Sequence, residues 1–175
     1  MKQSKKRPRP AKFWPVVGFA TLAGMRSMSA PAFLSHYFSR QPHAGLAGSS
    51  LRFLQKPFTA GLLKVAAAGE MVADKLPNTP DRIALPVVMG RLASGALVGA
   101  AWYRSRHGSA VGGGLLGAAV AFAATIMSYA LRTGISEKSG VPTALVGAGE
   151  DALVLAGGAA LLRGQRPAHG EWRPL

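Results

Sequence analysis

The chain has 175 residues, 49% of them hydrophobic but only 7% aromatic, with 22 glycines and no cysteine, which excludes disulfide and thiolate chemistry and is poor material for a water-soluble core of large side chains. Its formal charge of +14 would suit a nucleic-acid ligand if it formed one face. Most of the lysines and arginines instead avoid the apolar stretches and gather at Lys2, Lys5, Lys6, Arg7, Arg9 and Lys12, at Arg104 and Arg106, and at Arg163, Arg166 and Arg173, so no nucleic-acid partner is expected and the basic groups read as anchors against the anionic lipids of a bilayer.

Residues 1–12 form a basic tail, expected on the cytoplasmic side. The first apolar stretch, 13–37, begins like a secretory signal. Arg26, however, separates its apolar run from Ala30-Pro31-Ala32, which favours an uncleaved first membrane segment. Arg26, the neighbouring serines and Pro31 predict a kink or break within it. Residues 41–56 carry Pro42, Gly45, Gly48, Ser49 and Ser50 and read as a connection, with a short interfacial turn at 51–54. The second segment, 57–76, opens on Pro57 at a first helical position and stops before Pro77. Lys64, Glu70, Asp74 and Lys75 interrupt it, leaving open whether it crosses, lines a cavity or lies in the interface.

The third segment, 83–103, has about 20 residues, which at ~1.5 Å rise each match a hydrocarbon core of about 30 Å. It ends on Trp102-Tyr103, a pair of the kind that anchors at the interface. The fourth, 110–131, and fifth, 141–162, are similar in length and almost free of charge inside. Residues 164–175 form a polar tail. The fold class is therefore all-α, an integral membrane helical bundle of about five segments over residues 13–163. With a cytoplasmic N-terminus, five crossings put the C-terminus outside. If the second segment lies in the interface, four crossings keep it inside, which Arg163, Arg166 and Arg173 prefer.

Gly95-x-x-x-Gly99 and Gly113-x-x-x-Gly117 place small residues at helix-contact spacing. They are expected to pack one helix on another within the bundle, a homo-oligomer being the other reading. Ala68-Gly69-Glu70 is echoed by Ala148-Gly149-Glu150, and Gly24-Met25-Arg26-Ser27 by Ala130-Leu131-Arg132-Thr133. With five crossings, segments one and two would relate to four and five as an inverted repeat, the arrangement of many transporters.

Of seven acids, Glu70, Asp74, Glu150 and Asp151 fall in or beside apolar segments. Arg26, Arg91 and Arg132 are the expected partners. An unpaired Arg deep in a membrane helix costs about 2.5–3.5 kcal/mol on insertion scales, so Arg91 should find a carboxylate. Glu70 and Asp74, four apart, share a helix face and would offer two to Arg91 or Arg26. Such charges serve either as an ion or proton relay or as fixed pairs. His36, His43, His107 and His169 have no metal-ligand spacing, and no phosphate loop, nucleophile elbow or paired-His motif occurs; no metal, cofactor or enzymatic activity is expected.

Glu70-x-x-x-Asp74-Lys75-x-Pro77, then Gly90-Arg91, then Glu150-Asp151 resemble an uncharacterised bacterial membrane family, domain of unknown function 4126. The likeness spans nearly the whole chain beyond the basic tail. It implies a multi-pass protein of the bacterial inner membrane and supplies no reaction or substrate. Where the family pattern has a basic residue one turn before the Arg of the fourth helix, this chain has Ser128. The expected function is that of a small transporter or channel-like protein working through Arg26, Glu70, Asp74, Lys75, Arg91, Arg132, Glu150 and Asp151. A non-catalytic scaffold or assembly factor is the alternative, and a membrane-embedded enzyme the third.

Overall fold

The computed structural model describes residues 13–74, 84–139 and 143–165, and their regular structure is all helical. The order is α1 (Phe13–Met25), α2 (Ser29–Arg40), α3 (Ala44–Ala47), a 3-10 turn (Ser50–Gln55), α4 (Pro57–Ala73), α5 (Leu85–Ser105), α6 (Ala110–Ser139) and α7 (Thr143–Arg163). Pro57 sits at the start of α4 as its missing N–H predicts. Helices α5, α6 and α7 are long and apolar enough to cross a membrane. Phe58, Val65, Leu115, Leu145 and Leu153 stand exposed on the outer faces. Such a surface suits a bundle in lipid, where the hydrophobic residues need no protein cover and every backbone group is satisfied within its helix.

The first apolar segment breaks at Arg26, as expected, and then turns back on itself. Phe19 on α1 and Tyr37 and Phe38 on α2 all meet Trp102 near the end of α5, at ring distances of 5.8, 6.0 and 6.3 Å. Ser27, between the two helices, meets Ser94 two turns earlier on α5. α1 and α2 thus form a re-entrant hairpin with its tip at residues 26–28 and both open ends at one face. An arm of 13 residues measures ~20 Å, short of a hydrocarbon core of about 30 Å. Neither arm crosses alone.

Contacts fix the remaining directions. α4 descends beside α2, with Lys64 opposite His36 and Glu70 at the hairpin tip. α5 returns, and α6 descends against it. α7 returns again, placing Gly158 on Phe33, Leu161 on Gly18 and the Gln165 carbonyl 3.4 Å from the Tyr37 hydroxyl that donates to it. Among the described residues three helices, α5 to α7, are long enough to traverse the bundle, while α4 descends only to the level of the hairpin tip; the described chain starts and ends at the same face. This corrects the expectation of five crossings. Five crossings do not fit because segment one reverses, and segment two, as α4, runs along α2 down to the hairpin tip. Segment one enters the expected repeat in both senses: α1 runs the same way as α6, whereas α2 with α4 runs oppositely to α6 with α7.

The open ends of the hairpin, the α5–α6 turn and the end of α7 all lie at one face, together with Arg40, Arg52, Lys56, Arg104, Arg106 and Arg163. At this face Trp102 is only 1% exposed, packed among Phe19, Tyr37 and Phe38 with the Arg106 guanidinium 4.5 Å from its ring centroid. Trp102 is thus a core residue, not the interfacial anchor expected of it. The hairpin fills the place where lipid headgroups would have met its ring. The connection 41–56 packs too: Leu46 and Leu54 are fully buried, and Gly45 lies so close to the Arg104 and Ser105 carbonyls that a side chain would strike them.

The two glycine motifs face each other within the chain, as expected. A Cβ added at Gly95 would lie 2.5 Å from the Gly117 carbonyl oxygen, and Gly99 and Gly113 meet as closely. α5 and α6 form the most extensively packed pair, because missing side chains let their backbones approach.

Candidate functional site

Breaking a helix inside a membrane leaves backbone groups that need partners. Around the hairpin tip those partners come from three helices. The Ser27 and Met28 N–H groups each donate to a Glu70 carboxylate oxygen at 2.8 Å, from α4. The Ser27 carbonyl accepts from the Ser94 hydroxyl of α5, and the Gly24 carbonyl accepts from the Thr125 hydroxyl of α6 at 3.0 Å. Gly24 has no side chain because α6 passes there; a Cβ would sit 2.6 Å from that of Ala124.

The charges gather at the same level. The Arg26 guanidinium, 1% exposed, lies 2.9 Å from Asp74 Oδ2 through Nη1 and 2.7 Å from Asp151 Oδ1 through Nη2. Arg132 Nη1 lies 3.6 Å from the same Asp74 oxygen and 3.8 Å from Glu150 Oε2. The sequence of contacts runs Glu150, Arg132, Asp74, Arg26, Asp151, alternating in sign, and Glu150 and Asp151 are neighbours on α7. The result is an alternating chain of charges whose two acidic ends meet on α7, a ring that joins α6, the end of α4, the hairpin tip and α7. Gly147 gives Arg132 room to lie along α7; a side chain there would strike its guanidinium. Charges taken out of water are stable only when paired and hydrogen-bonded, which is why the acids on α4 and α7 meet arginines from the other elements.

Arg26 follows 13 residues of α1 and Asp151 precedes the end of α7 by 12, so the ring sits ~18–20 Å from the basic face. α5, α6 and α7 continue past this level for a further ~10 Å. α7 packs sparsely on its neighbours compared with the α5–α6 pair, and grooves flank it on two sides. One, of 540 Å³, lies between α6 and α7 with Arg132 and Glu150 on its wall and Leu131, Ile135 and Leu153 around them. The other, of 530 Å³, lies between α4 and α7 with α2 as its floor.

Of the residues expected to form a site, Arg26, Asp74, Arg132, Glu150 and Asp151 are brought together. Glu70 is beside them, engaged by backbone N–H groups and not by Arg91. Arg91 is 2% exposed on α5, one turn before Ser94 and on the same face. Lys75 lies outside the described residues. The sequence reading missed Ser94 and Thr125; a hydroxyl in an otherwise apolar helix was the available signal. Among the described residues no cluster of metal-ligating side chains occurs.

An α-helical membrane protein with a hairpin folded from its first apolar segment and a buried ionic ring is the class these features define. The family model of a domain of unknown function, DUF4126, matches residues 15–163, and the chain belongs to that family. No curated protein and no solved structure matches it significantly. The residues that carried the resemblance mostly converge on the ring and the tip: Glu70, Asp74, Glu150 and Asp151 as described, and Gly90 with Ser27 Oγ 3.9 Å from where its Cβ would be.

Proposed function

We propose that the protein is a small transporter of the bacterial inner membrane, with its basic face cytoplasmic and the ionic ring as its working site. One observation carries the reading. Glu150 and Asp151, adjacent on the sparsely packed α7, are each held by a different arginine, and both arginines share Asp74. A proton or small cation that takes the place of one guanidinium at Asp151 or Glu150 releases α7 there, while Asp74 keeps that arginine paired. Sharing of this kind lets ion pairs exchange without stranding a charge, the costly outcome in a low-dielectric interior. The basic connections and the end of α7 on one face support the cytoplasmic assignment, because the excess of Lys and Arg faces the cytoplasm in such proteins. The role is not enzymatic, and no cofactor enters it.

The test is flux into proteoliposomes. Asp74→Asn and Asp151→Asn should each abolish proton or monovalent-cation flux while the protein remains folded. Flux at the wild-type rate from either variant would defeat the transport reading.

A static scaffold is the second reading. It is favoured by the hairpin tip, where Glu70, Ser94 and Thr125 are all spent on backbone groups. In that case the ring only locks helices, and the double variant Arg26→Gln with Asp151→Asn should keep full cellular function.

A further inference from the structure

The groove between α4 and α7 has a property that the ionic ring does not use. Ala32, Ala67, Ala68 and Ala159 line its apolar length, and these short side chains hold the space open where larger ones would close α4 onto α7. At the end toward the basic face it carries His36, Lys64 and Arg163, and a smaller adjoining cavity that shares His36 adds Arg40. No acidic side chain lines it among the described residues. Lys64 is seven residues into α4, ~10 Å below its start. Its ammonium donates to His36 Nδ1 at 3.0 Å, a bond that requires a neutral imidazole and supplies no counter-charge. A lysine at such depth is expensive unless an anion reaches it or its stem carries the charge to the interface.

We propose that this groove is a binding site for an anionic phospholipid, the phosphate seated between Lys64 and Arg163 and one acyl chain lying between α4 and α7. The charge fits an anion, and the apolar length beyond the charges fits a chain that a free phosphate does not have. The bilayer supplies such a molecule at this depth. The inference is independent of transport at the ring, since it rests on side chains at the other end of α4 and α7. Its consequence is structural: the lipid fills the gap that keeps α7 apart from α4.

The test uses native mass spectrometry of the full-length protein in detergent, titrated with phosphatidylglycerol and with phosphatidylcholine of the same chains. The wild type should bind phosphatidylglycerol more tightly. Removing two basic contacts, at about 1 kcal/mol each, corresponds to a loss of about 30-fold, the effect expected of Lys64→Gln with Arg163→Gln. Lys64→Arg should retain binding and stands in if the double variant does not fold. Arg52→Gln with Arg104→Gln removes equal charge from the same face and should leave the preference intact. Ala68→Trp, which fills the apolar part, should weaken binding of both lipids. Equal losses in the two double variants would reduce the effect to general surface charge and overturn the site. So would a wild type without preference for phosphatidylglycerol, or inorganic phosphate that binds Ala68→Trp as well as the wild type and displaces the lipid.

Discussion

Replacing Arg26 is the most informative perturbation of the ring. Its guanidinium is almost wholly buried and lies within 3 Å of two carboxylates, so Arg26→Gln leaves Asp74 and Asp151 in a poorly solvated place with one shared cation removed. Stranding a buried charge costs about 3–5 kcal/mol, and this variant belongs at the upper end because Asp74 and Asp151 lose Arg26 together. Asp151→Asn should cost less, since it removes one ion pair and Arg26 keeps Asp74 at 2.9 Å. The double variant removes one charge of each sign, while Asp74 retains Arg132 at 3.6 Å. It should therefore be more stable than the sum of the singles by about 1–3 kcal/mol, the range of coupling between residues in one network. Reversible unfolding in mixed micelles measures all three. A double variant equal to the sum of the singles within about 0.5 kcal/mol would show that the two residues do not interact, and would refute the ring.

The glycine seam predicts that Gly95→Ala or Gly99→Ala destabilises by about 1–3 kcal/mol through overpacking against α6. Gly61→Ala on the open side of α4 should be stabilising by about 0.5–1 kcal/mol; thermal unfolding in detergent compares them. Glu70→Gln can accept only one of the two tip N–H groups and should cost about 1–3 kcal/mol in the same assay, with flux surviving in whatever fraction stays folded. His43 lies in the connection at the basic face, where burial chiefly, with Arg106, holds its pKa below the ordinary value against the opposing hydrogen bond to the Gln41 carbonyl. A lowered folded pKa means that stability is complete above the unfolded value of about 6.5 and is lost as pH falls from there through the folded one. His43→Gln should flatten this acid slope in unfolding curves taken from pH 8 to 5.

The long helices were legible because at most two charges interrupt each apolar run, Arg91 in α5 and Glu150 and Asp151 in α7. α5 and α7 end within about two residues of the expected bounds; α6 continues to Ser139, because helices in lipid do not stop where apolarity stops. The gathering of Arg26, Asp74, Arg132, Glu150 and Asp151 was legible from cost alone, since a charge in an apolar segment must find its opposite. Which partner it finds was not. Arg26 takes Asp74 because the hairpin tip delivers it to the end of α4, and Glu70 is diverted to the N–H groups that the turn exposes. Sequence marks a break at Arg26 to Ser29 but not the direction in which the chain leaves it. A kinked crossing and a re-entrant hairpin share one hydropathy pattern, and the choice is made by packing of Phe19, Tyr37 and Phe38 around Trp102. From that one undetermined turn follows the departure from five crossings.

The re-entrant hairpin is therefore the point to test most directly, and the chain has no native cysteine to confuse the readout. Single cysteines at Ala11, before α1, and at Ser49, between α2 and α4, should both react with an impermeant maleimide from the same side of sealed vesicles, with His107→Cys in the α5–α6 turn joining them. Labelling of positions 11 and 49 from opposite sides would mean that the first segment crosses the membrane, and would contradict the hairpin and the ring built on its tip.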